Sequence, residues 1–182
     1  GWMGKTISCI RTMKIALMIL LALIVLVGCI GLFGGMLPPT RTATAQRDIV
    51  APPAKVWIVL TDLHRQSEWR PDLEAIEVMD PTVGKERWRE KPRHGPAMEF
   101  QTTSQVPGVS WEMKFSGSVE GRWSGRLKEL PGVGTRIEVE ETVTVANPWK
   151  RLLARLFFDP QAIAEEYLAN LARTVEISAQ SD

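Results

Sequence analysis

The chain has 182 residues, 22 of them basic and 21 acidic, with a formal net charge of +1 at pH 7, and this length predicts one domain with an appended segment. Three basic residues and no acidic ones precede Pro38, so the remainder has a formal charge of about −2, which argues against a general nucleic-acid-binding protein. Cys9 and Cys29 are the only cysteines, and both precede Pro38. The rest of the chain therefore has no disulfide, no thiol nucleophile and no thiolate metal site.

The first element is a continuously apolar stretch over residues 15–37. About 23 residues at a rise of roughly 1.5 Å each make a helix of about 34 Å, which is enough to cross the hydrocarbon core of a bilayer. The pattern predicts an N-terminal tail over residues 1–14, a transmembrane anchor over 15–37 and a folded domain over 38–182.

Basic residues flank the predicted anchor on both sides. They are Lys5, Arg11 and Lys14 before it, and Arg41 and Arg47 after it. The excess before the span favours a cytoplasmic N-terminus and an extracytoplasmic domain, in a single-pass protein of the cell membrane.

Two processing alternatives stay open beside an uncleaved anchor. Leu26-Val27-Gly28-Cys29 resembles a bacterial lipoprotein cleavage box, which would place a lipid on Cys29, although the chain stays apolar after this cysteine. Ala43-Thr44-Ala45 resembles a signal-peptidase site, but the apolar run before it is longer than that of an ordinary signal peptide.

The predicted domain begins with short elements. Residues 42–50 are β-prone and suit an edge strand, and residues 54–62 carry apolar side chains at helical spacing. Residues 64–71 are predicted to be a loop, and residues 73–79 a second strand.

Alternation of apolar and polar residues then predicts five strands, over residues 85–91, 97–106, 109–115, 119–128 and 135–145. The side chains predicted to face inward are Trp88, Glu90, Met98, Phe100, Val106, Val109, Trp111, Met113, Phe115, Trp123, Leu127, Ile137, Val139, Glu141, Val143 and Val145. Gly121 and Gly125 share the face of Trp123, and we expect them to leave open space there. Short connections such as the turn over residues 131–134 predict an antiparallel sheet.

Two helices are predicted after Asn147-Pro148. The first covers residues 149–158 and has basic residues at Lys150, Arg151 and Arg155. The second covers residues 160–177, with Asp159 as its N-cap. Its apolar stripe consists of Ile163, Tyr167, Leu171 and Val175, with Ala164, Leu168 and Ala172 beside them. Such a stripe must be buried, so we predict an α+β fold with a curved antiparallel sheet wrapped around this long C-terminal helix.

The order of these elements resembles that of a known superfamily. The matching stretches are Ala51-Pro52-Pro53-Ala54-Lys55-Val56-Trp57, Leu60 to Leu63, Trp69-Arg70-Pro71, Trp88-Arg89-Glu90, Gly134-Thr135 and Glu141 to Pro148. Over residues 42–177 the chain resembles the START-like (SRPBCC) superfamily, in particular its polyketide cyclase/dehydrase and lipid-transport branch. The resemblance implies a helix-grip fold with an apolar cavity between sheet and C-terminal helix. It also implies binding of lipids, sterols, quinones or polyketides, with chemistry in a minority of members and no catalytic residue to carry over.

Glu90 and Glu141 are the sharpest chemical signal, because both are predicted to point inward among apolar residues. A carboxyl group in such surroundings has a raised pKa or finds a partner, which suits a general acid or base. The structural alternatives are an ion pair with an inward arginine, or solvent at the mouth of the cavity. The predicted ligand-binding residues are Trp88, Glu90, Met98, Phe100, Trp111, Met113, Phe115, Trp123, Glu141, Ile163, Tyr167 and Leu171; for the aromatic ones, ordinary core packing is the alternative.

The sequence predicts no cofactor and no metal site, since His64 and His94 lack ligand spacing. Lys150, Arg151 and Arg155 would contact either anionic lipid headgroups or solvent. Three hypotheses about the function follow. The protein is a membrane-tethered binding protein for a hydrophobic small molecule or lipid, or a cyclase- or dehydratase-like enzyme that uses Glu90 or Glu141. In the third hypothesis it is an interaction module whose interior is filled by its own side chains. The sequence does not identify a protein partner.

Overall fold

The structure is a computed structural model that describes residues 2–132 and 134–180, apart from the side chains of residues 2–12 and of Gln180. Part of the predicted N-terminal tail, including the side chains of Lys5, Cys9 and Arg11, and Val133 of the predicted turn lie outside the described residues. The chain divides into two compact units, residues 1–39 with 146–157 and residues 40–145 with 158–182.

The elements in chain order are α1 (Trp2–Met36), β1 (Thr40–Ile49), α2 (Pro53–Thr61), α3 (Gln66–Trp69), β2 (Leu73–Asp80), β3 (Arg87–Pro92), β4 (Met98–Val106), β5 (Ser110–Ser116), β6 (Glu120–Leu130), β7 (Gly134–Thr144), α4 (Pro148–Phe157) and α5 (Pro160–Gln180).

The first unit consists of α1 and α4, which pack against each other. Within α1, an 18-residue window of the apolar stretch Met13–Met36 has a mean hydropathy of 3.1, and none of that window is buried. Among the described residues this is the one helix long and apolar enough to cross a membrane; a signal sequence has the same properties. The helix itself extends beyond the predicted span and begins at Trp2.

The second unit is a seven-stranded sheet in the order β1-β7-β6-β5-β4-β3-β2, and every neighbouring pair is antiparallel. The helix α5 packs mainly on β1 and on α2. Their shared core contains the fully buried side chains of Val56, Leu60, Ile137, Leu168 and Leu171. The predicted α+β fold, a curved antiparallel sheet with a long C-terminal helix, is confirmed.

Inward alternation is confirmed in β7 and most of β5, but it is interrupted at the hairpin between β4 and β5. Val106 and Val109, both predicted to face inward, are exposed. The register of β4 against β5 shifts between Thr102 and Ser104, and an extra residue in one strand moves every later side chain to the opposite face. Val109 precedes β5 and lies in the turn, where its N–H bonds to the Val106 carbonyl at 2.9 Å.

Two further expectations were wrong. The space beside Gly121 and Gly125 is filled: a Cβ atom at Gly121 would collide with the Phe115 ring and the Thr142 carbonyl, and one at Gly125 would lie 2.5 Å from the Trp123 ring. The predicted loop over residues 64–71 contains one helical turn, α3. This turn ends directly before Arg70, a residue of the candidate site described below.

The start of α5 follows the prediction, whereas its buried stripe is rotated. Asp159 Oδ1 accepts bonds from the backbone N–H groups of Gln161 at 3.0 Å and Ala162 at 3.3 Å, as an N-cap does. Ala164 is buried, whereas Ile163 is exposed. At about 100° per residue, the buried side chains of α5 lie within an arc of about 100°, and Ile163 lies about 80° outside it. These buried residues are Leu171, Ala164, Val175, Leu168 and Ala172.

Candidate functional site

A buried ion pair lies at the centre of the candidate site. Arg70 follows α3 directly, and Glu90 lies on the inner face of β3. The two terminal nitrogens of Arg70 donate to the two oxygens of Glu90, each at 2.9 Å. The exposed fractions of these side chains are 14% and 9%. This parallel two-bond geometry is the strong form of the arginine–carboxylate interaction.

Neighbouring side chains complete the coordination of this pair. Trp88 Nε1 donates to Glu90 Oε1 at 3.1 Å, and Arg70 also donates to Gln66 Oε1 at 3.0 Å and Asp72 Oδ2 at 3.1 Å. The Glu90 carboxylate is therefore held by three hydrogen bonds. Of the interpretations open from the sequence, pairing with an inward arginine is the one that describes Glu90.

The charge of Arg70 is stabilised by its partner. Burial by itself would lower the pKa of Arg70, but the adjacent Glu90 carboxylate outweighs this effect and holds the pKa above its ordinary value. Arg70 Nε and Trp69 Nε1 are buried and have no hydrogen-bond partner within the described part of the chain. A fixed positive charge thus lies inside the fold, with its counter-ion beside it.

Glu141 is the second inward carboxyl group, and its surroundings differ from those of Glu90. It lies on β7 opposite Trp123 of β6 and Ala43 of β1. Its side chain is partly exposed and makes no hydrogen bond to any described residue. Burial raises the pKa of Glu141; the Arg70 charge opposes this shift, and Glu90 adds to it. Glu141 is therefore the inward carboxyl group that is not already held by a partner.

Tyr167 of α5 adds a hydroxyl group to this region. The Arg70 guanidinium carbon lies 5.7 Å from the centre of its ring, within the range of a cation–π contact. Its ring lies 5.3 Å from that of Trp69 and 6.1 Å from that of Trp123. Burial raises the pKa of the Tyr167 hydroxyl, which stays neutral and able to donate a hydrogen bond.

A chain of aromatic rings extends from Tyr167 across the inner face of the sheet. Successive ring centres are 6.1 Å apart from Tyr167 to Trp123, 6.0 Å from Trp123 to Trp111, 5.7 Å from Trp111 to Trp88 and 5.5 Å from Trp88 to Phe100. These separations are typical of favourable aromatic pairs. The rings thus form a continuous aromatic layer on the inner face of the sheet, with polar groups beside Tyr167 at one end.

The sequence profile of the family described as polyketide cyclase / dehydrase and lipid transport matches residues 40–176, three quarters of the chain. The chain belongs to this family. The resemblance predicted from the order of elements is therefore confirmed. A search of the curated proteins matched none.

Solved structures share the fold of this polyketide cyclase/dehydrase family member. The protein TTHA0849 of Thermus thermophilus has a TM-score of 0.66 at 20% identity, over 76% of this chain and 99% of that one. The Zhui aromatase/cyclase of Streptomyces sp. R1128 has a TM-score of 0.58 at 15% identity, over 78% and 94%. Norcoclaurine synthase of Thalictrum flavum has a TM-score of 0.60 at 10% identity, over 79% and 88%. At these identities the similarity establishes the fold alone.

The predicted ligand-binding residues of this family member differ in accessibility. Trp88, Trp111, Met113, Phe115 and Leu171 are buried, as core residues are. The partly exposed ones are Met98, Phe100, Trp123, Glu141 and Tyr167. Ile163 is exposed. The partly exposed residues are the part of the predicted set that solvent still reaches, and we refer to them as the accessible inner set.

A cleft of about 510 Å³ lies on the sheet, and Phe100 and Phe115 of the predicted set are among the residues that line it. Most residues that line it belong to the polar face opposite Trp88 and Trp111, among them Arg87, Gln101 and Lys114. It is therefore not the cavity predicted between the sheet and the C-terminal helix. Within the described residues, no group of three or more histidine, cysteine or acidic side chains has the arrangement of a metal site.

The reasoning from sequence missed Arg70 and Gln66. Both lie in the segment predicted to be a loop, where alternation gives no information about direction. One signal was available: an inward Glu90 among apolar residues requires a cation or a proton, and Trp69-Arg70-Pro71 was among the stretches that carried the family resemblance.

We expect Glu141→Gln to stabilise the protein at pH 8, with a smaller gain at pH 4. The folded state raises the pKa of Glu141 from its ordinary 4.5. The stability of the wild type therefore falls as the pH rises from this ordinary pKa to the raised one. Glutamine avoids this loss because it carries no charge. The measurement is the thermal midpoint of the full chain in one detergent at both pH values.

Glu140→Gln is the matched control for this pH experiment. Glu140 is the exposed neighbour on the opposite face of β7, and its change should leave the midpoint nearly the same at both pH values. Equal midpoints for Glu141→Gln and the wild type at pH 8 would contradict the proposed burial of the Glu141 charge.

Proposed function

We propose that the chain is a membrane-tethered binding protein for a hydrophobic small molecule, which lies on the inner face of the sheet next to α5. The observation that carries this proposal is the accessible inner set: five side chains face inward and yet stay partly exposed. Apolar rings left accessible inside a fold are costly in water, and a bound apolar molecule removes that cost.

The polar groups at one end of this surface indicate the kind of ligand. The Glu141 carboxyl group accepts a hydrogen bond from a ligand hydroxyl when ionised, or donates one to a carbonyl when protonated. The neutral Tyr167 hydroxyl does either. We therefore propose a ligand with an extended apolar body and one hydroxyl or carbonyl head, a description that fits lipids, quinones and polyketide-like compounds.

The tether is part of the proposal. Residues 15–37 would cross the membrane once, with the N-terminus in the cytoplasm and residues 38–182 outside it. A tether holds the domain at a high effective concentration near the bilayer, so modest affinity for a membrane-soluble ligand suffices. A lipoprotein attached through Cys29 would have the same effect, and the mass of the purified chain distinguishes the two forms.

The chemistry of Glu141 also favours a second candidate function, that of a cyclase- or dehydratase-like enzyme. A partly accessible carboxyl group with a raised pKa, lying in the same region as a neutral tyrosine hydroxyl, suits proton transfer to or from a bound ligand. In this alternative Glu141 transfers the proton, because Glu90 is already held by Arg70 and Trp88.

The test is a thermal-shift panel on the full chain with phospholipids, quinones, sterol-like compounds and aromatic polyketides. The proposal predicts a saturable rise in the melting temperature with one of these classes. Loss of a hydrogen bond to a charged group costs about 1.5–3 kcal/mol, so Glu141→Gln should weaken binding by roughly 10- to 150-fold, while Glu140→Gln leaves it unchanged.

The outcomes separate the candidate functions. If Glu141→Gln keeps ligand affinity but abolishes conversion of that ligand, the enzyme is favoured over the carrier. If none of the four classes shifts the melting temperature, the proposal is contradicted and an interaction module with a filled interior takes its place.

A further inference from the structure

The short helix α4 has two opposite faces. With neighbouring residues about 100° apart, its large apolar side chains cover an arc of about 140°. Trp149, Leu153, Leu156 and Phe157 of this arc are exposed, and Phe157 has an exposed fraction of 82%. The remaining arc carries Lys150, Arg151 and Arg155, and α4 contains no acidic residue. Exposed apolar side chains of this size on a helix need an apolar partner.

The position of α4 on α1 indicates what that partner is. Pro148 lies against Gly34, where an added Cβ atom would collide with the Pro148 carbonyl, and the Trp149 ring would lie 3.2 Å from a Cβ atom at Gly31. Two glycines one turn apart thus let the start of α4 approach the last turns of α1 closely. These turns are the end of the apolar stretch Met13–Met36.

Arg151 fixes this arrangement. One of its terminal nitrogens donates to the Leu37 carbonyl at 2.8 Å and to the Gly34 and Gly35 carbonyls at 3.4 Å, and the other donates to the Ala146 carbonyl at 2.9 Å. The last carbonyls of a helix lack partners within the helix, and a cation is favourable there. The end of α1 therefore has a specific partner within the chain.

We propose that α4 is an interfacial helix that lies in the headgroup region of the bilayer, with its apolar arc in the lipid and its basic arc on anionic headgroups. This inference rests on the membrane tether of the proposed function. Because α4 lies at the end of the apolar stretch, it would lie at the level where a spanning α1 leaves the hydrocarbon core. Tryptophan beside basic residues is typical of that level.

The basic arc specifies the lipid class. Lys150 and Arg155 are exposed, whereas Arg151 is engaged with α1. A basic residue near an anionic surface adds about 1 kcal/mol, or on the order of fivefold in the binding equilibrium. Lys150→Gln combined with Arg155→Gln should therefore weaken association of α4 with anionic bilayers on the order of fivefold per charge, with little effect on neutral ones.

The experiment uses the full chain, with Cys9 and Cys29 changed to serine, reconstituted in phosphatidylcholine vesicles with and without phosphatidylglycerol. An environment-sensitive fluorophore is attached in separate samples through Leu153→Cys, Leu20→Cys and Val83→Cys, and quenching by spin-labelled lipid is measured. Leu20 reports on the span, and Val83, an exposed residue of the other unit, is the matched control. Phe157→Cys provides a second position on the apolar arc.

We expect quenching at positions 20, 153 and 157 but not at position 83. At positions 153 and 157 the quenching should be stronger with phosphatidylglycerol. Quenching at 20 alone would overturn the interfacial helix and leave the tether in place. Lack of quenching at 20 would contradict the tether itself, and with it this inference.

Discussion

Arg70→Met is expected to lower the free energy of unfolding by about 3–5 kcal/mol, because it leaves the Glu90 carboxylate buried without its cation. Both side chains are largely removed from water, with exposed fractions of 14% and 9%. Trp88 Nε1 is then the one remaining donor to Glu90 among those described. Chemical denaturation of the full chain in a fixed detergent measures the change.

Two further variants distinguish the pair from ordinary surface charges. Arg89→Met removes an arginine that contacts Glu99 at 2.8 Å in an exposed position, and exposed ion pairs contribute little, so its effect should be much smaller. Arg70→Met combined with Glu90→Leu should recover much of the loss, since replacing a buried pair by apolar groups is often tolerated. If Arg70→Met is no worse than Arg89→Met, the pair is not the anchor of this site.

Trp111→Ala is expected to lower the free energy of unfolding by about 3–5 kcal/mol, the usual range for removing a buried tryptophan. Trp111 has an exposed fraction of 1% and contacts the rings of Trp88 and Trp123. Its Nε1 atom also donates to the hydroxyl of the buried Thr102 at 3.0 Å, which would lose its partner. The result is measured by denaturation in the same detergent.

Trp123→Ala is the matched comparison, because this ring lies next to Trp111 but stays partly exposed. We expect Trp123→Ala to cost less stability than Trp111→Ala. We also expect it to lower ligand affinity more than other substitutions that destabilise the protein by the same amount. If the two variants destabilise the protein equally and neither affects binding, then the distinction between buried core and accessible inner set has no functional meaning.

Alternation of apolar and polar residues predicted most of the inner face of the sheet. It failed after the register shift in β4, where one strand has an extra residue. Trp111, Met113 and Phe115 alternate without interruption, and all three are buried as expected. Val106 follows the register shift of β4. A bulge of this kind is set by pairing with the neighbouring strand and leaves no mark in the apolar period, so Val106 could not be placed from the sequence alone.

The candidate site shows the same limit. Alternation placed Glu90 and Glu141 on one face but could not distinguish them, because the difference lies in Arg70, twenty residues before Glu90 in a non-alternating segment. Packing of α3 and the residue after it against β3 determines which carboxylate receives the arginine. That long-range contact is a property of the folded chain, and it leaves Glu141 as the unpaired carboxyl group.

The most direct measurement is native mass spectrometry of the full chain released from detergent. We predict a discrete added mass that disappears on denaturation, that extraction identifies as an apolar compound with a hydroxyl or carbonyl head, and that is lost in Trp123→Ala. A chain that shows its bare mass alone, even after incubation with the lipid, quinone, sterol-like and polyketide classes, would contradict the proposed function.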